Sequence, residues 1–176
     1  MEQSKIYGYD VDGFDDVTDA LMRMINSYPG LDVDERFVFS DIPKEEGLTV
    51  IASGGSAIIE HHESITDHVW EVCAYPFSVV YRASGLAERR KIAVKEWMDT
   101  LSRWMTRQTV TINGEQYHLD FWPRLACVDD PKRGKQERWI KTILRQSPAY
   151  LNSVNEDKSE NWVMDLVIQY QNEFDR

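Results

Sequence analysis

The chain predicts an α+β fold: one domain with a mainly antiparallel β-sheet packed against two amphipathic helices, at about 13–28 and 86–107. Three observations carry this. The run from His68 to Ala83 is β-prone and apolar at alternating positions on both faces. A stretch with helical apolar spacing follows it at once. A second long alternating run, Trp162 to Tyr170, comes near the end of the chain. At 176 residues the chain is long enough for one hydrophobic core, and no internal linker or repeat divides it, so residues 1–176 read as a single domain.

Taken in order, residues 1–12 read as an extended, mobile N-terminal arm. From 13 to 28, Phe14, Val17, Leu21, Met24, Ile25 and Tyr28 form one stripe, with Asp12 as the N-cap and Asp15 and Asp16 suited to the helix dipole. Pro29-Gly30 ends this helix. Arg36–Ser40 is a short β-prone piece. Leu48–Ser53 reads as a strand, Gly54-Gly55 as a hairpin turn and Ser56–Glu60 as the return strand. The polar segment 60–68, EHHESITDH, reads as a loop leading into the long strand.

Strand side chains alternate sides, so Val69, Cys73, Tyr75, Phe77, Val79 and Tyr81 share one face. Trp70, Val72, Ala74 and Val80 share the other, the pattern of an interior strand covered on both sides. Pro76 cannot donate to a ladder, so it marks a bulge or the end of a pairing partner. In the following helix Leu86, Ala93, Trp97, Leu101 and Trp104 recur on one side, with Val94, Met98 and Met105 beside them. Asn113-Gly114 between β-prone runs is a hairpin signal. Residues 126–137 are loop-like in composition, and Arg138–Arg145 reads as a strand.

The formal net charge of −10 is unevenly spread. Residues 1–81 hold sixteen acids against four bases, and residues 82–146 hold fourteen bases against eight acids. An acidic chain is poorly suited to wrapping duplex DNA, because neutralising phosphates needs a basic surface. Segregated charge does suit a subunit that meets copies of itself head to tail. No apolar run is long enough to span a bilayer, and MEQSKIYGYD lacks the core of a signal peptide. The expectation is a soluble protein made in a cytoplasm. Cys73 and Cys127 have no metal-ligand spacing, and Cys73 reads as a reduced core thiol.

One cluster invites a metal: Glu60, His61, His62, Glu63, Asp67 and His68. Adjacent His61 and His62 would point opposite ways on a strand, and no HExxH helix is present, so a solvated polar loop is the favoured reading. Ser53–Ser56 lacks the lysine of a phosphate-binding loop. No GxSxG elbow occurs. The residues point to no cofactor and to no catalytic constellation.

Several stretches taken together resemble the tail terminator proteins of long-tailed bacteriophages, also labelled minor capsid proteins in phages of Gram-positive hosts. They are LTVIASGGSAIIEHHESITDHVWEVCAYPFSVVYRA, then ERRKIAVKEWMDTLSRWM, then SPAYLNSVNEDKSENWVMDLVIQYQNEF. The resemblance covers residues 14–28 and 48–174, and these motifs are structural. It implies a virion structural protein forming a hexameric ring at the tail–head junction. Such a ring ends polymerisation of the tail-tube protein and joins the tail to the head connector. DNA passes through its channel without being read, and no membrane is involved. The same ring logic would serve a head-completion or adaptor joint of the phage neck. A small metal-dependent enzyme using His61, His62 and His68 is the catalytic alternative. For the ring, the candidate interface residues are Arg89, Arg90, Lys91, Lys95, Lys132 and Arg133 on the basic side, with Glu60, Glu63 and Asp67 on the acidic side. The loop 54–67 is the candidate contact with the tail tube.

Overall fold

Two strands of sixteen residues form the middle of the molecule. In the computed structural model, which describes residues 13–44, 46–84, 88–126, 128–130 and 134–175, they lie antiparallel along their whole length. The first, His68–Ala83, is β4, and the second, Glu160–Asp175, is β10. The remaining elements, in chain order, are α1 (Phe14–Ile25), β1 (Phe37–Phe39), β2 (Gly47–Ala52), β3 (Ala57–Glu63), α2 (Glu88–Met105), β5 (Val110–Ile112), β6 (Glu115–Tyr117), β7 (Val128–Asp130), β8 (Gly134–Arg145) and β9 (Tyr150–Val154). This is a single α+β domain.

The outer edge of each central strand carries two shorter strands set end to end. β2 pairs with Phe77–Arg82 of β4, and β3 pairs with Val69–Ala74. On the far side, β8 pairs with Leu166–Glu173 of β10, and β9 with Glu160–Val163. Gly54-Gly55 is therefore not a hairpin turn, because β2 and β3 run in the same direction along one neighbour. Pro76 lies at the break between them, where its carbonyl accepts from the Ser53 amide at 3.0 Å. A residue with no N–H costs least where the facing partner is interrupted. The β3–β4 connection, residues 64–67, is the true hairpin turn: the Ser64 amide bonds to the His68 carbonyl, and Asp67 adopts a φ of 60°.

Three other sequence expectations need correction. Glu60–Glu63 belong to β3 rather than to a loop, since backbone pairing with β4 overrides their polar composition. β7 and the start of β8 occupy part of the 126–137 stretch read as loop. The sheet is mainly antiparallel as expected, and the one parallel pair among the described residues, β1 with β2, makes it mixed. Finally, among the described residues helices cover only one face of β4. Both helices pack on the face of Cys73, Tyr75, Phe77 and Val79, together with Met164, Leu166, Ile168 and Tyr170 of β10. On the opposite face Val72 and Val80 are buried, but Ala74, Pro76 and Ser78 stay half-exposed.

The helices follow their apolar stripes except at Ala93, which is exposed near the start of α2. Val17, Ala20, Leu21, Met24 and Ile25 of α1 are buried, as are Val94, Met98, Leu101, Trp104 and Met105 of α2. Trp97 is half-buried, with its ring edge-on to Tyr28 and Tyr81 and its indole N–H donating to the Gly30 carbonyl at 3.0 Å. Gly13 opens α1 at a φ of 78°, and a Cβ there would come within 3.1 Å of the Tyr170 ring. Asn113-Gly114 forms the expected hairpin, with left-handed φ values at both positions. The arm 1–12, Asp12, Leu86, Cys127, Lys132 and Arg133 lie outside the described residues.

Candidate functional site

β3 presents AIIEHHE, and every residue of it is exposed. Alternation separates its histidines. The His61 Nδ1 lies 2.9 Å from the buried Glu71 carboxylate, on the helix-facing side. The His62 ring stacks on Trp70 of the opposite face, centroids 3.8 Å apart. His68, across the hairpin turn, meets Asp175 at 2.8 Å. That hydrogen bond holds the His68 imidazole above its ordinary value, and the Asp175 and Glu173 charges add to the effect. The three imidazoles do not converge, and among the described residues no group of His, Cys, Asp or Glu could hold a metal ion.

Sequence reading missed a buried polar row at this end of the helix-facing side. Arg138 on β8 donates from Nε to Asn172 Oδ1 at 2.9 Å and from a terminal nitrogen to Gln136 Oε1 at 3.1 Å. The Asp16 carboxylate of α1 stands 3.9 Å away, and the Asn172 amide reaches the Cys73 sulfur at 3.5 Å. A signal was present, because Glu71 and Asn172 fall at inward positions of otherwise apolar alternations.

The basic candidates divide once they are placed. Arg89 and Lys95 project from α2 into solvent, whereas Lys91 binds the buried Glu160 carboxylate at 2.8 Å and holds it below the usual carboxylate range. Arg90 borders a cleft with Glu46, Tyr81 and Trp97. Lys91 sits level with Ala83 at one end of β4, and Glu63 with Val69 near the other. At about 3.3 Å per residue, those ends are about 45 Å apart.

Across the strands the charge divides by edge. The β1–β2 side carries Asp34 and Glu35 beside Arg36, with Glu46 close by, and β3 continues it with Glu60 and Glu63. Asp67 lies in the turn below β3. On the far side β8 carries Lys141 and Arg145, with Arg103 of α2 beside them, while Lys135 is paired with Glu137 at 3.4 Å and β7, outside that end of β8, holds Asp129 and Asp130. Arg145 and Arg103 share the Asp99 carboxylate, leaving one positive charge in excess. Asp99 does this from the α2 helix, so the cation pair is held at the β8 edge by the main scaffold.

No helix among the described residues is long and apolar enough to cross a membrane. No protein-family model matches the chain, and no curated protein matches it.

Proposed function

We propose that this chain is a ring-forming structural subunit of the tail-terminator kind, whose copies meet head to tail, cap a phage tail tube and link it to the head connector. The observation that carries the reading is the charge division just described. Acidic groups line the β1–β2–β3 edge, and Lys141, Arg103 and Arg145 make the part of the β8 edge beyond β7 basic, so the two surfaces are complementary between copies and cannot meet within one. In a cyclic assembly each subunit offers two different faces, and opposite charge on them sets orientation and suppresses wrong contacts. Exposed ion pairs contribute only ~0–1 kcal/mol each, so they guide the contact and apolar area holds it. The β3–β4 hairpin, at one end of the long strands, is the part placed to touch the tube. An acidic surface also suits a channel for DNA, since it repels phosphate.

The resemblance of three long stretches to tail terminators supports this reading alongside the charge pattern. Adding the purified protein to growing tubes of the cognate tail-tube protein tests it. Elongation stops, and short capped tubes accumulate in electron micrographs. Tubes that lengthen unchanged would contradict a terminator role.

A further inference from the structure

Between the second half of α2 and the end of β8 lies an open groove of about 660 Å³, and we propose that it receives the Asp32–Glu35 turn of the next copy. This rests on the ring reading above and names two surfaces that meet in it.

The groove is equipped to hold a carboxylate. One terminal nitrogen of Arg145 donates to Asp99 and, at 3.2 Å, to the Ser102 hydroxyl, while its Nε donates to the Ser147 carbonyl at 2.9 Å. Arg103 donates from Nε to the same Asp99 carboxylate at 3.0 Å. The second terminal nitrogen of Arg145 and both of Arg103 therefore have no acceptor among the described residues. Two arginines against one aspartate leave the groove one net positive charge. Guanidinium groups fixed in this way favour a carboxylate, whose two oxygens match their paired donors. Thr106 and Thr142 add hydroxyls to the walls, and Leu144, 42% exposed, adds an apolar border.

A second copy is the occupant, because the chain carries the complementary shape and charge at its opposite edge. The turn reads DVDE, and Val33 in its middle is 91% exposed. The Asp32 amide donates to the Glu35 carboxylate at 3.0 Å, and the Glu35 amide to the Asp32 carbonyl at 3.0 Å. Closed on itself, the turn is a pre-formed knob that loses little conformational freedom on docking. Among the described residues neither the Asp32 nor the Asp34 carboxylate has an ion-pair or hydrogen-bond partner. Arg36 offsets one of the three acids, and its guanidinium is engaged by the Glu35 carbonyl at 2.7 Å, so two negative charges remain in excess.

Their places in the fold make the contact head to tail. The turn leads into β1, the outermost strand on one side, and the groove lies beside β8, four strands away. At about 4.8 Å per strand the two surfaces are about 19 Å apart across the sheet and cannot meet within one copy. Phe37, at the start of β1, is level with Tyr81, whereas Arg145 is level with Phe77. That step of four residues is about 13 Å along the strands. A closed ring allows no axial step between copies, so the strands incline to the ring axis.

Asp34→Arg and Arg103→Glu, made singly and then together in one chain, form the test, with association followed by sedimentation velocity. Both side chains are exposed, so each variant should keep the wild-type circular dichroism. Each alone sets like charges against one another at every junction and weakens association at least about tenfold. In the double variant the signs are exchanged on both surfaces, and association returns close to that of the wild type. If the wild type forms rings but the single variants associate as well as it does, or the double variant is no better than either single one, the docking is wrong and the ring reading survives. If the wild type itself stays monomeric at high concentration, both fall.

Discussion

Replacing Trp97 with alanine lowers the stability of the subunit by about 3–5 kcal/mol, the usual cost of removing a large aromatic from a core. The size of the effect follows from what the indole touches. Its ring packs against Phe37 of β1, Tyr81 of β4 and Tyr28 in the turn after α1, and its N–H satisfies the Gly30 carbonyl. Truncation opens a cavity where α2 meets the turn after α1 and the top of β4. It also leaves the Gly30 carbonyl without that donor, which adds a desolvation cost. Phenylalanine at this position keeps most of the packing and loses only the hydrogen bond, so it costs much less. Urea melts of the three proteins check this. A loss below about 1 kcal/mol for Trp97→Ala would mean that this face of α2 does not hold the helix to the sheet.

Arg138→Ala has an effect of similar size for a different reason. The guanidinium is wholly buried, and its fork ties Asn172 of β10 and Gln136 of β8 to the Asp16 carboxylate of α1. Removing one member of a buried charged network costs about 3–5 kcal/mol, because the remaining groups stay desolvated without their partner. Lysine restores only part of that loss, since a single ammonium cannot reproduce the planar fork. Denaturant melts of Arg138→Ala and Arg138→Lys measure both steps. Equal stability of all three proteins would show that the row is spectator polarity and does not anchor α1 to the sheet.

These two residues also show what the sequence could reveal. Trp97 was legible because helical spacing is local: Trp97, Leu101 and Trp104 mark their own face without reference to the rest of the chain. The same holds for β4 and β10, whose alternation places Tyr75, Phe77, Met164 and Ile168 inside. Pro76 was legible in kind, as a place where a pairing partner ends. Pairing partners were not legible. Gly54-Gly55 has the composition of a hairpin turn, yet β2 and β3 each choose β4, a decision set by contacts far along the chain. For the same reason EHHE read as loop until its register with β4 made it an edge strand. Arg138 in an interior row ran against its composition, because burial of an arginine depends on partners from three separate elements. The charge division was visible as a difference between segments. Only the topology turned it into two opposite edges.

Closed, head-to-tail association is the central claim, and the particle mass of concentrated protein tests it most directly. Light scattering on a size-exclusion column should return one discrete species, a small whole-number multiple of the 20.6 kDa subunit, seen as a ring with a central channel in negative stain. That species should dissociate as salt rises, since screening removes the attraction between the two edges. A chain that stays monomeric at millimolar concentration, or that grows an open ladder of sizes without closing, would contradict the account.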